Sequence, residues 1–127
     1  MQPPGALSLA VKCHEEVVRI LLAGGAQARA ADRGGVTALH LAAKRGDADV
    51  VRALLAGGAE ARAADKDGVG ALHIATHQGH AEVLRLLLES GAQPDARDNG
   101  GTTALQIATR TGNAEAVRLL TAAQSAQ

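Results

Sequence analysis

The sequence predicts an all-α solenoid of stacked helix-turn-helix units, on three observations. The stretch 36–58, VTALHLAAKRGDADVVRALLAGG, returns thirty-three residues later as VGALHIATHQGHAEVLRLLLESG and again from 102 as TTALQIATRTGNAEAVRLLTAAQ. Between 33–65 and 66–98, 16 of 33 positions are identical, and a fixed period of this kind marks units that stack. Within each copy the apolar residues fall at spacings of three and four, as with Val50, Val51, Leu54 and Leu55, which makes one stripe along a helix. Apolar residues make up 46% of the chain, yet Phe, Tyr and Trp are absent, so the core is Leu, Val, Ile and Ala packed at short range. Closely stacked helices suit such a core better than a sheet sandwich, which recruits aromatic and β-branched residues.

Taken in order, Pro3 and Pro4 suit the start of a helix, because a first-turn residue loses no hydrogen bond by lacking its N–H. The stretch 6–12, ALSLAVK, aligns with 38–44, ALHLAAK, and 14–25 aligns with 47–58 at an offset one larger. The residue missing after Cys13 is the turn glycine that stands elsewhere as Gly46, Gly79 and Gly112. The first unit, about 3–32, is therefore atypical, as a terminal unit with one unpartnered face is expected to be.

In the second unit, 33–65, Thr37 is the expected N-cap of a helix over 38–45. Gly46 ends that helix in the left-handed conformation. Asp47 then caps the next helix, with Asp49 near the positive end of its dipole. The third unit, 66–98, places Leu72, Ile74 and Ala75 inside its first helix and Val83, Leu84, Leu87 and Leu88 inside its second. Gly70 replaces the threonine cap there, at a cost of a few tenths of a kcal/mol. The fourth unit, 99–127, restores the cap as Thr103, puts Gln106 where His40 and His73 stand, and puts Thr121 at the core position of Leu55 and Leu88. With its small and polar tail, 122–127, it reads as a solvent-facing end cap.

The Thr-Ala-Leu-His type start at 37–40, its variants at 70–73 and 103–106, the Gly-led turn, the Val-Val-x-x-Leu-Leu helix and the Gly-Ala exit resemble the ankyrin repeat, over nearly the whole chain. The resemblance implies about four repeats in a single domain, 1–127, with the polar runs between units forming protruding β-turn fingers. It also implies that His73 is a structural histidine bonded to backbone. Function is left open by it, because such folds serve many partners.

Thirteen Lys and Arg balance thirteen Asp and Glu, so no global charge draws the chain to nucleic acid or anionic membrane. No apolar stretch of about 18 or more residues occurs, and the first ten residues lack the pattern of a signal peptide. The lone Cys13 forms no internal disulfide, in keeping with a reducing compartment. A cytoplasmic or nuclear monomer is expected.

Three kinds of chemical site find little support in the sequence. His73 and His77 are four apart, a spacing that can hold a metal, but His77 lacks acidic or cysteine helpers at ligand spacing, and no metal is expected. Ser8, Ser90 and Cys13 have no positioned base, and His14-Glu15 does not extend to HExxH, so no catalytic residue is expected. The glycines recur at the repeat period as backbone punctuation and cradle no phosphate, and no cofactor is expected.

Charge distribution is more informative. In ankyrin-like proteins the finger tips and the outward side of each first helix form a concave binding face. The matching positions here are Arg33, Val36, Lys44 and Arg45, then Lys66, Asp67, Val69, His77 and Gln78, then Asn99, Thr102 and Arg110. With Lys12 and Arg97 this face carries seven cations against Asp67 alone, once the turn residues Asp32, Asp65 and Asp98 are set aside. Helix-dipole effects account for cations in the last turn of a first helix and acids in the first turn of a second. They do not account for Arg33 or Lys66 on finger tips. The expected function is a non-catalytic protein-binding module that takes an acidic or phosphorylated segment of a partner protein, with Val36 and Val69 as apolar contacts. Without aromatic anchors its affinity is expected to be modest. Nucleic-acid or anionic-lipid binding through the same basic face, and a designed repeat scaffold, are the alternatives.

Overall fold

The computed structural model describes Arg29 and residues 31–125. The first unit up to residue 28, with Ser8, Lys12, Cys13 and the tightened turn, lies outside the described residues. Six helices follow in pairs: α1 (Ala38–Arg45) with α2 (Ala48–Ala56), α3 (Ala71–Gln78) with α4 (Ala81–Glu89), and α5 (Ala104–Thr111) with α6 (Ala114–Ser125). Among the described residues there is no strand. Isolated antiparallel bridges join Ala31 to Thr37, Ala64 to Gly70 and Arg97 to Thr103, pinching the chain before each first helix into a finger. The first helices pack on one another as an inner row, and the second helices pack as an outer row.

Each inner helix starts where its sequence says. Thr37 is extended and accepts from the His40 amide, while His40 Nδ1 accepts the Thr37 amide at 3.1 Å. This reciprocal cap satisfies two backbone donors at once. Thr103 and Gln106 repeat it, with Gln106 Oε1 taking the Thr103 amide at 2.9 Å. Gly70 has no side chain to contribute, so that cap keeps only the half made by His73 Nδ1, at 3.2 Å from the Gly70 nitrogen. Gly46 closes α1 with φ 77°. A Cβ there would also meet the His80 ring at 2.5 Å, so glycine is required twice over. The ring lies so close because His80 Nε2 donates to the Lys44 carbonyl at 3.1 Å, capping α1 from the next repeat.

The core runs between the two helix rows. Leu39, Val50, Val51 and Leu54, then Leu72, Val83, Leu84 and Leu87, and finally Leu120 are buried, and Ala42, Ala75 and Ala108 sit at full burial where inner helices touch. Leu55 and Leu88, expected in the core, are half-buried, and Thr121 is exposed. One residue beyond Leu54 turns about 100° around the helix, which carries Leu55 to the margin of the stripe. The last helix is longer than its counterparts: α6 runs for 12 residues against 9 in α2 and α4. Gly58 and Gly91 leave their repeats at φ 102° and 100°. Gln124 stands at that position in the last unit and continues the helix.

Hydrogen bonds tie neighbouring units at matching positions. His40 Nε2 donates to the Val69 carbonyl at 3.0 Å and His73 Nε2 to that of Thr102 at 3.1 Å. With Nδ1 already an acceptor, the neutral ring must carry its proton on Nε2. Backbone bonds from the Lys66 nitrogen to the Gly34 oxygen, 2.8 Å, and from Asn99 to Asp67, 2.9 Å, join the fingers edge to edge. On the far side Arg29 Nε reaches the Gly58 carbonyl, and Arg62 Nε that of Gly91, both at 2.9 Å.

Candidate functional site

The fingers and the last turns of the inner helices face each other across a groove. The finger wall is held rigid by aspartate. Asp65 Oδ1 accepts the amides of Asp67 and Val69 at 2.8 and 3.0 Å, and Asp98 Oδ1 accepts those of Gly100 and Thr102, both at 2.9 Å. Such side-chain turns fix loop geometry that the backbone alone would leave open. The bond from the Thr102 amide, then that from Gly100 and the nearby Arg110 charge, hold the Asp98 carboxyl below its ordinary pKa, so it is anionic at neutral pH.

A hollow of about 390 Å³ lies between these walls, with Lys44, His77 and Gln78 on the helix side and Val69 and Asp65 on the finger side. Ile74 and Ile107 form its floor. A second hollow of about 280 Å³ continues it toward the last repeat, sharing His77, Asp98 and Ile107 and adding Thr102 and Arg110. The structure thus gathers Lys44, Val69, His77, Gln78, Thr102 and Arg110 along one groove. Arg33, Lys66 and Asp67 lie apart from it, exposed at the finger tips, as does Arg45, exposed on the last turn of α1. Val36 is half-buried at a finger base. Asn99 is tied into the scaffold, its Nδ2 donating to the Lys66 carbonyl at 3.0 Å.

Two features of the groove escape the sequence reading. Ile74, expected inside its helix, is half-buried and with Ile107 floors the groove. Asp65 and Asp98, set aside in the charge count, belong to the groove wall, so the face is less one-sidedly basic than that count implied. Their recurrence at the repeat period was the available signal. Position along the period says that a residue recurs, whereas the tilt of the finger decides which surface its free carboxylate oxygen meets.

The outer row has a different electrostatic character. Arg52 pairs with Asp49 at 2.9 Å, and Arg85 with Glu82 and Arg118 with Glu115 at 2.6 Å, while Arg52 also reaches Glu82 at 3.9 Å across two repeats. The bond from Arg85 holds Glu82 below its ordinary pKa. Among the described residues, by contrast, no acidic side chain forms an ion pair with Arg33, Lys44, Arg45, Lys66 or Arg110. His73 and His80 are engaged with backbone carbonyls, and no group of three metal-ligating side chains occurs among the described residues. No described helix is long and apolar enough to cross a membrane.

Paired helices stacked at a constant period, with zipped fingers beside a concave groove, define a repeat scaffold of the ankyrin class. The family model described as ankyrin repeats (3 copies) matches residues 3–65 and 42–127, and the chain belongs to that family. Ankyrin repeats are generally protein–protein interaction modules. Comparison with curated proteins returns no match.

Proposed function

We propose that the chain binds a partner protein through its concave face and that the bound segment is acidic or phosphorylated. The observation that carries this reading is the contrast between the two helix rows. Outer-row arginines are neutralised by acids three residues away, which is the ordinary surface arrangement and contributes about 0.2–0.5 kcal/mol per pair. Groove and finger cations lack such partners among the described residues, so their charge is available to steer an anionic segment. Binding requires no chemistry. A stiff surface occupies or blocks its partner, and the half-buried Val36 and Val69 add apolar contact.

The reading is tested on an array of acidic, phosphorylated and neutral peptides, probed with the wild-type chain and with Lys44→Glu/Arg45→Glu. Wild type should retain acidic peptides with an affinity that falls as salt rises, and the reversal should lose about tenfold or more of that affinity and flatten the salt dependence. Equal retention by both proteins would remove the proposal. DNA and anionic vesicles serve as comparison ligands, and preference for either over every peptide would also remove it.

A further inference from the structure

Lys44, His77 and Arg110 occupy the same position in successive inner helices, thirty-three residues apart. Lys44 and His77 share one hollow, and His77 and Arg110 share the next. They form a row of nitrogen bases along one wall of the groove. Ile74 and Ile107 form the floor, and Asp65 and Asp98 the opposite wall. The groove therefore has three chemically distinct sides, each repeating with the helices.

The spacing of that repeat selects the conformation of an occupant. Inner helices in contact lie about 8–10 Å apart. In a β-strand, side chains on one face recur every ~6.7 Å, which falls short of the rungs, and skipping one overshoots at ~13 Å. A polyproline II segment repeats every three residues and rises ~3.1 Å per residue, so one face recurs every ~9.3 Å and meets each rung. In an α-helix one face recurs every ~5.4 Å, which also falls short of the rungs, and two turns overshoot at ~10.8 Å.

Building on the acidic-segment reading above, we infer that the occupant is an extended, polyproline-II-like segment with an acidic side chain at every third position, each facing one base of the row Lys44, His77, Arg110. The next face of such a segment is aliphatic and lies on Ile74 and Ile107. The third face is free of acids, because Asp65 and Asp98 stand opposite it. Since each carboxylate already accepts two finger amides through one oxygen, the remaining oxygen repels an acid placed there and leaves the register unambiguous. His77 is the weak rung, as an imidazole lacks the permanent charge of a lysine or arginine.

The test uses three synthetic peptides of one composition, containing Asp, Leu, Pro and Lys. One has Asp at every third position, one at every fourth, and one in a contiguous block. Each is titrated against wild type, His77→Lys and Lys44→Glu/Arg45→Glu. The period-three peptide should bind wild type at least about fivefold tighter than either isomer. His77→Lys should tighten that peptide about two- to fivefold, the range of an exposed ion pair, and leave the isomers less affected. If all three peptides bind alike and all weaken on the Lys44/Arg45 reversal, the register is wrong while the acidic-segment reading stands. If no peptide binds, the register fails, and the earlier reading then stands only if the phosphorylated peptides of its array bind. His77 is exposed at the end of α3, so its replacement leaves the fold intact, which the circular-dichroism melt of the variant checks.

Discussion

His40 spans two repeats. Its Nδ1 accepts the Thr37 amide at 3.1 Å while its Nε2 donates to the Val69 carbonyl at 3.0 Å. The ring is 2% exposed, and the Thr37 amide depends on it for a partner, whereas the Val69 carbonyl also accepts the Asp65 amide at 2.9 Å. Replacing His40 with Ala should therefore destabilise the chain by about 1–3 kcal/mol, the cost of leaving the buried Thr37 amide unsatisfied and losing one bond between repeats. His40→Gln should lose less, because a glutamine still takes the cap amide, as Gln106 does for Thr103. Urea unfolding of the two variants orders them, and equal losses would contradict the double role.

Gly70 marks a place where the chain is less stable than its own pattern allows. Its backbone, φ −97° and ψ 169°, matches that of Thr37 at −103° and 170°. A Cβ there meets nothing closer than the Ala63 oxygen at 3.5 Å. Gly70→Thr should add a cap bond and reduce the freedom of the unfolded chain, raising stability by about 0.5–1 kcal/mol. A lower melting temperature for the variant would contradict the capping role assigned to position 70.

Leu87 is fully buried between the outer row and the inner helices. Leu87→Ala should cost about 2–5 kcal/mol through lost burial and the cavity left behind. The half-buried Leu88 should cost distinctly less when truncated, which a paired denaturant titration resolves. A larger loss at Leu88 would return it to the core.

Acid should weaken the third finger through Asp98. Its folded pKa is lowered, first by the Thr102 amide bond and then by that of Gly100. Its contribution is thus complete above the unfolded value of about 4 and is lost as pH falls through the lower folded value. Asp98→Asn keeps an acceptor oxygen without titrating. Wild type should therefore lose more stability than this variant on acidification below about pH 4, and parallel curves would overturn the assignment. Glu82, lowered chiefly by its bond from Arg85, shifts in the same direction on the outer row.

Much of the fold was legible because the relevant forces are local. Thr37, Gly46, Asp47 and Thr103 act within one turn of chain, so residue type and order were enough to place the helix ends. The candidate site was legible only in part. Lys44, His77 and Arg110 could be assigned to a shared surface by period, but Asp65, Asp98 and Ile74 needed coordinates, because the side of a finger or helix a residue faces depends on packing. Arg29 and Arg62, which tie each exit loop to the next repeat, went unread for the same reason: the carbonyl each one meets lies 29 residues along the chain.

By itself, then, the sequence determined the period, the helix ends and the all-helical stack, since capping, glycine conformation and apolar spacing are properties of a few adjacent residues. Only the tertiary structure decided that the base row, the isoleucine floor and the aspartate wall enclose one groove, and that Leu55 and Leu88 sit at the edge of the core. Those relations arise when separate repeats are brought into contact, and contact geometry is set by how neighbouring helices and fingers pack against one another.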